Sequence, residues 1–184
     1  MPWQHRHSVG AWARTAAALA RSPGRFFDTL STRGGPAADR LYLLVNACAA
    51  GLIAGVLAAV LHHQGPLTAW AIGMGTAKAV LLFSYVEAAG LWFFSRRHGW
   101  RVPLARAERI VAYASVGWLP AAALLTAAAP LLAGPAAEAL GQRLLGDSHP
   151  LLGPLLLLAL LGTAGLAFET LAWVGVRRLR YANA

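Results

Sequence analysis

The run LYLLVNACAAGLIAGVLAAVL, Leu41 to Leu61, holds 21 consecutive residues without a charge. A helix of that length rises roughly 30 Å, the thickness of a bilayer's hydrocarbon core, so the segment reads as a transmembrane helix. Three further apolar stretches follow: Leu67 to Phe94, interrupted by Lys78 and Glu87; Ile110 to Leu132, containing Pro120 and Pro130; and Leu151 to Val176, broken only by Glu169. The expected fold is therefore all-α, a polytopic helical membrane protein with about four transmembrane helices, or five if the Pro120 region splits its span. Composition agrees, because 58% of the residues are hydrophobic and only 12% charged, whereas soluble domains are about one quarter charged. That balance excludes a disordered tail or a nucleic-acid-binding protein. The single cysteine, Cys48, excludes an internal disulfide and a thiolate metal cluster.

Orientation follows from the basic residues, 16 in all, of which Lys78 is the lone lysine. Arginines are retained on the cytoplasmic side of a membrane. Arg6, Arg14, Arg21, Arg25, Arg33 and Arg40 precede the first span, Arg96, Arg97, Arg101, Arg106 and Arg109 separate the second from the third, and Arg177, Arg178 and Arg180 follow the fourth. The other two connections carry none and Arg143 alone. Both termini are thus expected in the cytoplasm, and the Ala, Gly, Leu and Arg bias points to a bacterial inner membrane. Trp70 at one surface and Trp92, Trp100 and Trp173 at the other suit an interfacial aromatic belt. The first 40 residues lack the pattern of a cleavable signal.

The chain divides into an N-terminal amphipathic segment (1–40), a helical membrane domain (41–176) and a basic tail (177–184). Val9, Trp12, Ala16 and Leu19 recur at helical spacing away from Arg14 and Arg21, as in a helix lying on an anionic leaflet. Ser22 and Pro23 cap a second short helix presenting Phe26, Phe27 and Leu30, followed by a linker from Thr32 to Ala38. Trp12, Arg25, Phe26 and Phe27 are the expected contact surface for a protein partner. A further short helix is expected over 136–145.

Ionisable residues inside lipid cost about 2.5 to 3.5 kcal/mol each, so Lys78, Glu87 and Glu169, with the polar Asn46, are the intramembrane candidates. Glu87 precedes Arg96 by nine residues and Glu169 precedes Arg177 by eight, which puts both carboxylates at nearly one depth. They either fasten two helices or share a proton as an ion site. Lys78 falls on the opposite face of its helix from Glu87, so the two are not expected to pair; it lies near Asn46 or extends toward the outer surface. Gly51 and Gly55 form a GxxxG that lets another backbone approach, within the chain or in a homo-oligomer. His62 and His63 are expected in solvent. No metal-ligand spacing, nucleotide-binding loop or hydrolase motif occurs, so no cofactor and no enzymatic activity are expected.

The string RSPGRFFDTL at 21–30, with RIVAYASVGWLPAAALLTAAAPL at 109–131, resembles the bacterial branch of the Yip1 domain family. The corresponding positions are Pro23, Phe26, Phe27, Ala112, Tyr113, Ser115 and Pro120. The resemblance implies a helical membrane protein without a cofactor. Eukaryotic members contact prenylated small GTPases and one another, but their Asp-Leu-Tyr-Gly-Pro signature has only Asp39-Arg40-Leu41-Tyr42 as its nearest string here. The function expected is a non-enzymatic membrane protein that organises anionic lipid and an unidentified membrane or cytoplasmic partner. The alternative is a small proton- or ion-coupled transporter using Glu87 and Glu169.

Overall fold

The computed structural model describes residues 2–30, 35–100, 102–133 and 152–179, and among these every regular element is helical. Three short helices come first: α1 (Pro2–His5), α2 (Val9–Arg21) and α3 (Pro23–Asp28). Four long passages follow: α4 (Pro36–Leu61), α5 (Pro66–Arg97), α6 (Leu104–Ala114) continued through a 3₁₀ turn (Ser115–Gly117) into α7 (Trp118–Ala133), and α8 (Leu152–Leu179). Four helical passages are long and apolar enough to cross a membrane, and the chain is a multi-pass membrane protein. The segment 136–145 and the end of the tail lie outside the described residues.

Local chemistry sets where the helices start. Pro23, Pro36 and Pro66 occupy the first turns of α3, α4 and α5, where a missing N–H removes a group that had no helical partner anyway. The first span accordingly begins at Pro36, five residues before the uncharged run, and Asp39 falls in its first turn. Ser8 caps α2 by accepting the Ala11 amide at 3.2 Å. Gly99, at φ +67°, lets the chain reverse after α5, and the Trp100 amide closes that turn on the Ser95 carbonyl at 2.9 Å.

The Pro120 region does not split the third passage into two. Pro120 sits in the first turn of α7, and the ladder is interrupted just before it, at Ser115–Gly117. Two causes coincide: Pro120 offers no N–H to the Val116 carbonyl, and the Ser115 hydroxyl turns back to the Ala112 carbonyl at 2.6 Å. Pro130 has a parallel effect at the far end, leaving the Thr126 carbonyl without its donor. His62 Nε2 lies 2.7 Å from that oxygen, so the ring donates there and ties the α4–α5 turn to α7. His62 is therefore half-buried and bonded, not free in solvent; His63 is exposed.

In the most apolar 18-residue stretch of each passage, half of the residues are buried for Leu104–Ala129 but only 17% for Pro66–Arg97, so α6–α7 lies inside and α5 on the periphery. Close approach of backbones fixes the packing. A Cβ on Gly51 would stand 2.5 Å from the Gly73 carbonyl, and one on Gly55 3.0 Å from that of Ala69, so the GxxxG joins α4 to α5 within the chain. Gly117 meets the α8 backbone, where an added Cβ would lie 2.6 Å from the Phe168 nitrogen.

The N-terminal helices belong to the same core. Ala11, Thr15 and Leu19 of α2 are fully buried, and Phe26 and Phe27 are 3% and 0% exposed. Phe27 fills the space beside Gly175, where an added Cβ would come within 3.0 Å of its ring. The expectation that Phe26 and Phe27 form an exposed contact surface is thus corrected: their apolar face is spent on α6 and α8.

Replacing Gly51 by Leu forces α4 and α5 apart, whereas Gly75 has open space around it. Overpacking of this kind costs about 1 to 3 kcal/mol, so Gly51→Leu is expected to lower the melting temperature in detergent by roughly 3 to 10 °C. Gly75→Leu should leave it unchanged; equal melting of the two variants would refute the close crossing.

Candidate functional site

Three polar assemblies lie along the bundle. The first is a seam built on Asn46, ten residues into α4 and fully buried. Its Oδ1 accepts the Trp12 indole N–H at 2.7 Å, and its Nδ2 donates to Ser115 Oγ at 2.9 Å. The Ser115 hydroxyl passes its own proton to the Ala112 carbonyl. One amide thereby joins the amphipathic helix, the first span and the break in the third. Trp3 adds a second fastening, its indole N–H donating to the Ala38 carbonyl at 2.8 Å. Trp12, expected on an open surface, is half-buried against the bundle.

The second assembly lies at the arginine-rich end. Arg109 Nε reaches Asp39 Oδ2 at 2.7 Å with both side chains largely shielded, and Arg40 pairs more openly with Glu108 at 3.0 Å. Adjacent residues of opposite sign, Asp39-Arg40 on α4 and Glu108-Arg109 on α6, thus interlock. The second Asp39 oxygen and the Tyr113 hydroxyl are both buried without a hydrogen-bond partner. Tyr113 also stacks with Tyr42 and Phe26, at 4.9 and 5.3 Å between ring centres. A buried pair of this kind holds register, and removing one partner is strongly destabilising.

The third assembly contains the two intramembrane carboxylates. Glu87 on α5 is half-buried and Glu169 on α8 is exposed on the bundle surface. A stack of rings lies beside them: Trp118 is sandwiched by Phe83 at 5.9 Å and Phe168 at 4.9 Å. Phe83 is one turn from Glu87 and Phe168 is the neighbour of Glu169, so the stack spaces α5 from α8 across α7. Lys78 is exposed on the far flank of α5, outside this group, and Asn46 is engaged by Trp12 and Ser115 instead. Among the described residues no group of three or more His, Cys, Asp or Glu side chains is arranged to hold a metal.

Arg25 is exposed, as are Arg6, Arg14, Arg21, Arg96, Arg97 and Arg177. Two of these lie over aromatic rings, Arg96 at 5.0 Å from Trp92 and Arg97 at 4.9 Å from Phe93, an arrangement suited to a headgroup layer. Arg178 crosses to Asp28 at 3.3 Å and pins α3 to the end of α8.

Asn46→Leu leaves the Trp12 N–H without an acceptor, a loss of about 1 to 3 kcal/mol. Tryptic cleavage at Arg14 and Arg21 should then quicken by roughly tenfold or more in detergent, with Trp12→Phe giving a similar rise and the double variant adding little. Unchanged cleavage in both would show that the seam does not hold α2. Comparison of the chain with family models, curated proteins and solved structures gives no match.

Proposed function

We propose that this chain is a non-enzymatic scaffold of the bacterial inner membrane, with both termini cytoplasmic, whose basic face engages anionic lipid and a membrane or cytoplasmic protein partner. The observation that carries this reading is the division of labour in the first 30 residues. Their aromatic side chains are buried or tied into the bundle through Trp3, Trp12, Phe26 and Phe27, while Arg6, Arg14, Arg21 and Arg25 stay exposed. Arg96, Arg97 and Arg177 extend the same surface from α5 and α8. A fixed array of guanidinium groups at one end of a bundle attracts anionic headgroups, each worth about 1 kcal/mol near such a surface. The resemblance to the Yip1 domain family is consistent with this role, because Phe26 and Tyr113, two residues that carry it, pack together. With both phenylalanines buried, the exposed arginines are the surface this proposal gives to a partner.

Neutralising Arg6, Arg14, Arg96 and Arg97 to Gln should sharply lower enrichment of phosphatidylglycerol around the protein in mixed-lipid nanodiscs and remove cross-linked partners from native membranes. Recovery of the same lipids and partners as wild type would overturn the proposal. A thiol-free background with one cysteine at position 7 tests topology: labelling by an impermeant reagent should require inverted vesicles.

A second reading, a proton- or ion-coupled carrier, draws on one observation: the stack through Trp118 links Phe83, one turn from Glu87, to Phe168, the sequence neighbour of Glu169. Lys78 would not share their site. Proteoliposomes in which Glu87→Gln and Glu169→Gln leave ion flux equal to wild type would exclude it.

A further inference from the structure

Between α2 and the bundle runs an open groove of about 690 Å³. Its roof is the lower side of α2, made of Ala16, Ala17 and Ala20; its walls are the start of α7 around Gly117 and Pro120 and the α8 stretch from Leu166 to Leu171. These walls belong to two of the helical passages apolar enough to cross a membrane, so lipid tails are the natural occupant of the groove. On α2 the buried side (Ala11, Thr15, Leu19), the groove side and the arginine side (Arg14, Arg21) are three separate sectors of one helix. An amphipathic helix that merely floated on a leaflet would show lipid a single broad apolar face. Here part of that face is docked, and the remainder overhangs a channel.

Charge lies next to the lining in sequence. Arg21 adjoins the lining residue Ala20, and Arg25 stands two residues beyond the lining residue Pro23; both arginines are exposed. The nearby carboxylate, Asp28, is taken by Arg178, so it does not neutralise them. An apolar channel suited to lipid tails, with cationic side chains next to its lining, matches the two ends of one molecule class. We propose that the groove binds a single anionic phospholipid, one acyl chain beneath α2 and its phosphate held by Arg21 and Arg25. The proposal rests on the basic-face reading and narrows it from a surface to one stoichiometric lipid.

Native mass spectrometry of the full chain, delipidated and then titrated with phosphatidylglycerol or phosphatidylethanolamine, tests it. Wild type should retain one phosphatidylglycerol, preferred over phosphatidylethanolamine roughly fivefold, the scale of one basic side chain at an anionic surface. Ala17→Phe and Ala20→Phe fill the groove and should lower retention about tenfold, whereas Ala18→Phe, outside the groove lining, should retain it. Arg21→Gln should erase the headgroup preference. Should a filled variant fail to fold, a bimane label at Ala20→Cys in a Cys48→Ala background gives the second readout. Phosphatidylglycerol brominated on its acyl chains should quench that label at least threefold more than one at Ala18→Cys. Wild type that binds both lipids equally, filled variants that retain phosphatidylglycerol, or equal quenching at the two labels would overturn the groove. Enrichment that survives the four-arginine substitution in nanodiscs, with one phosphatidylglycerol still retained here, would sink the surface reading instead, so the two failures are distinguishable.

Discussion

Hydrocarbon offers no hydrogen bond, and that single property of the solvent governs how this chain is assembled. Backbone polar groups carried below the headgroups must be satisfied inside the protein, and a buried side-chain amide gains strongly from a partner there. Asn46 is placed deep in the first span, and Ser115 and Trp12 come to it from two other elements. The amide is thus more than a tolerated polar residue. It selects which part of the third passage lies opposite α4, and it draws α2 onto the bundle. The same rule explains the ends: Pro130 deprives the Thr126 carbonyl of its donor, and His62 supplies one from a different turn.

Small residues do the complementary work. Apolar contact gives little driving force between helices already dissolved in lipid, so shape and backbone approach decide their association. Gly51, Gly55 and Gly73 bring α4 and α5 to backbone contact, and Gly117 does the same for the break in the third passage and α8. The break and the glycine are linked, since the 3₁₀ turn presents Gly117 to α8 where a regular helix would place it differently. Trp118, the next residue, then stacks between Phe83 of α5 and Phe168 of α8.

The four membrane passages were legible because uncharged runs of helical length have few other uses. Azimuth was harder to read. Periodicity shows that Phe26, Phe27 and Leu30 form an apolar face, but lipid, a partner and the chain's own core all accept such a face equally. Only the position of Gly175, which leaves room for Phe27, resolves it, and that is a contact between residues about 150 apart in sequence. Ser115 and Tyr113 escaped notice as polar partners because short hydroxyl residues cause little disturbance in hydropathy. The interlocked ion pairs left a clearer trace, two adjacent acid–base couples placed just outside two apolar runs.

The docking of α2 changes what its charge accomplishes. A free amphipathic helix adjusts its depth and tilt to the leaflet, so its arginines sample many headgroups and select none. Once Trp12 is hydrogen-bonded to Asn46 and Ser22–Pro23 turns the chain into a pinned α3, the arginines hold fixed positions relative to the spans. Fixed charge costs less ordering entropy when a ligand binds, which is the physical meaning of preorganisation. Recognition at this face then depends on the seam in the membrane interior as much as on the arginines: loosening Asn46 would leave every guanidinium in place chemically while removing the geometry that makes them a site.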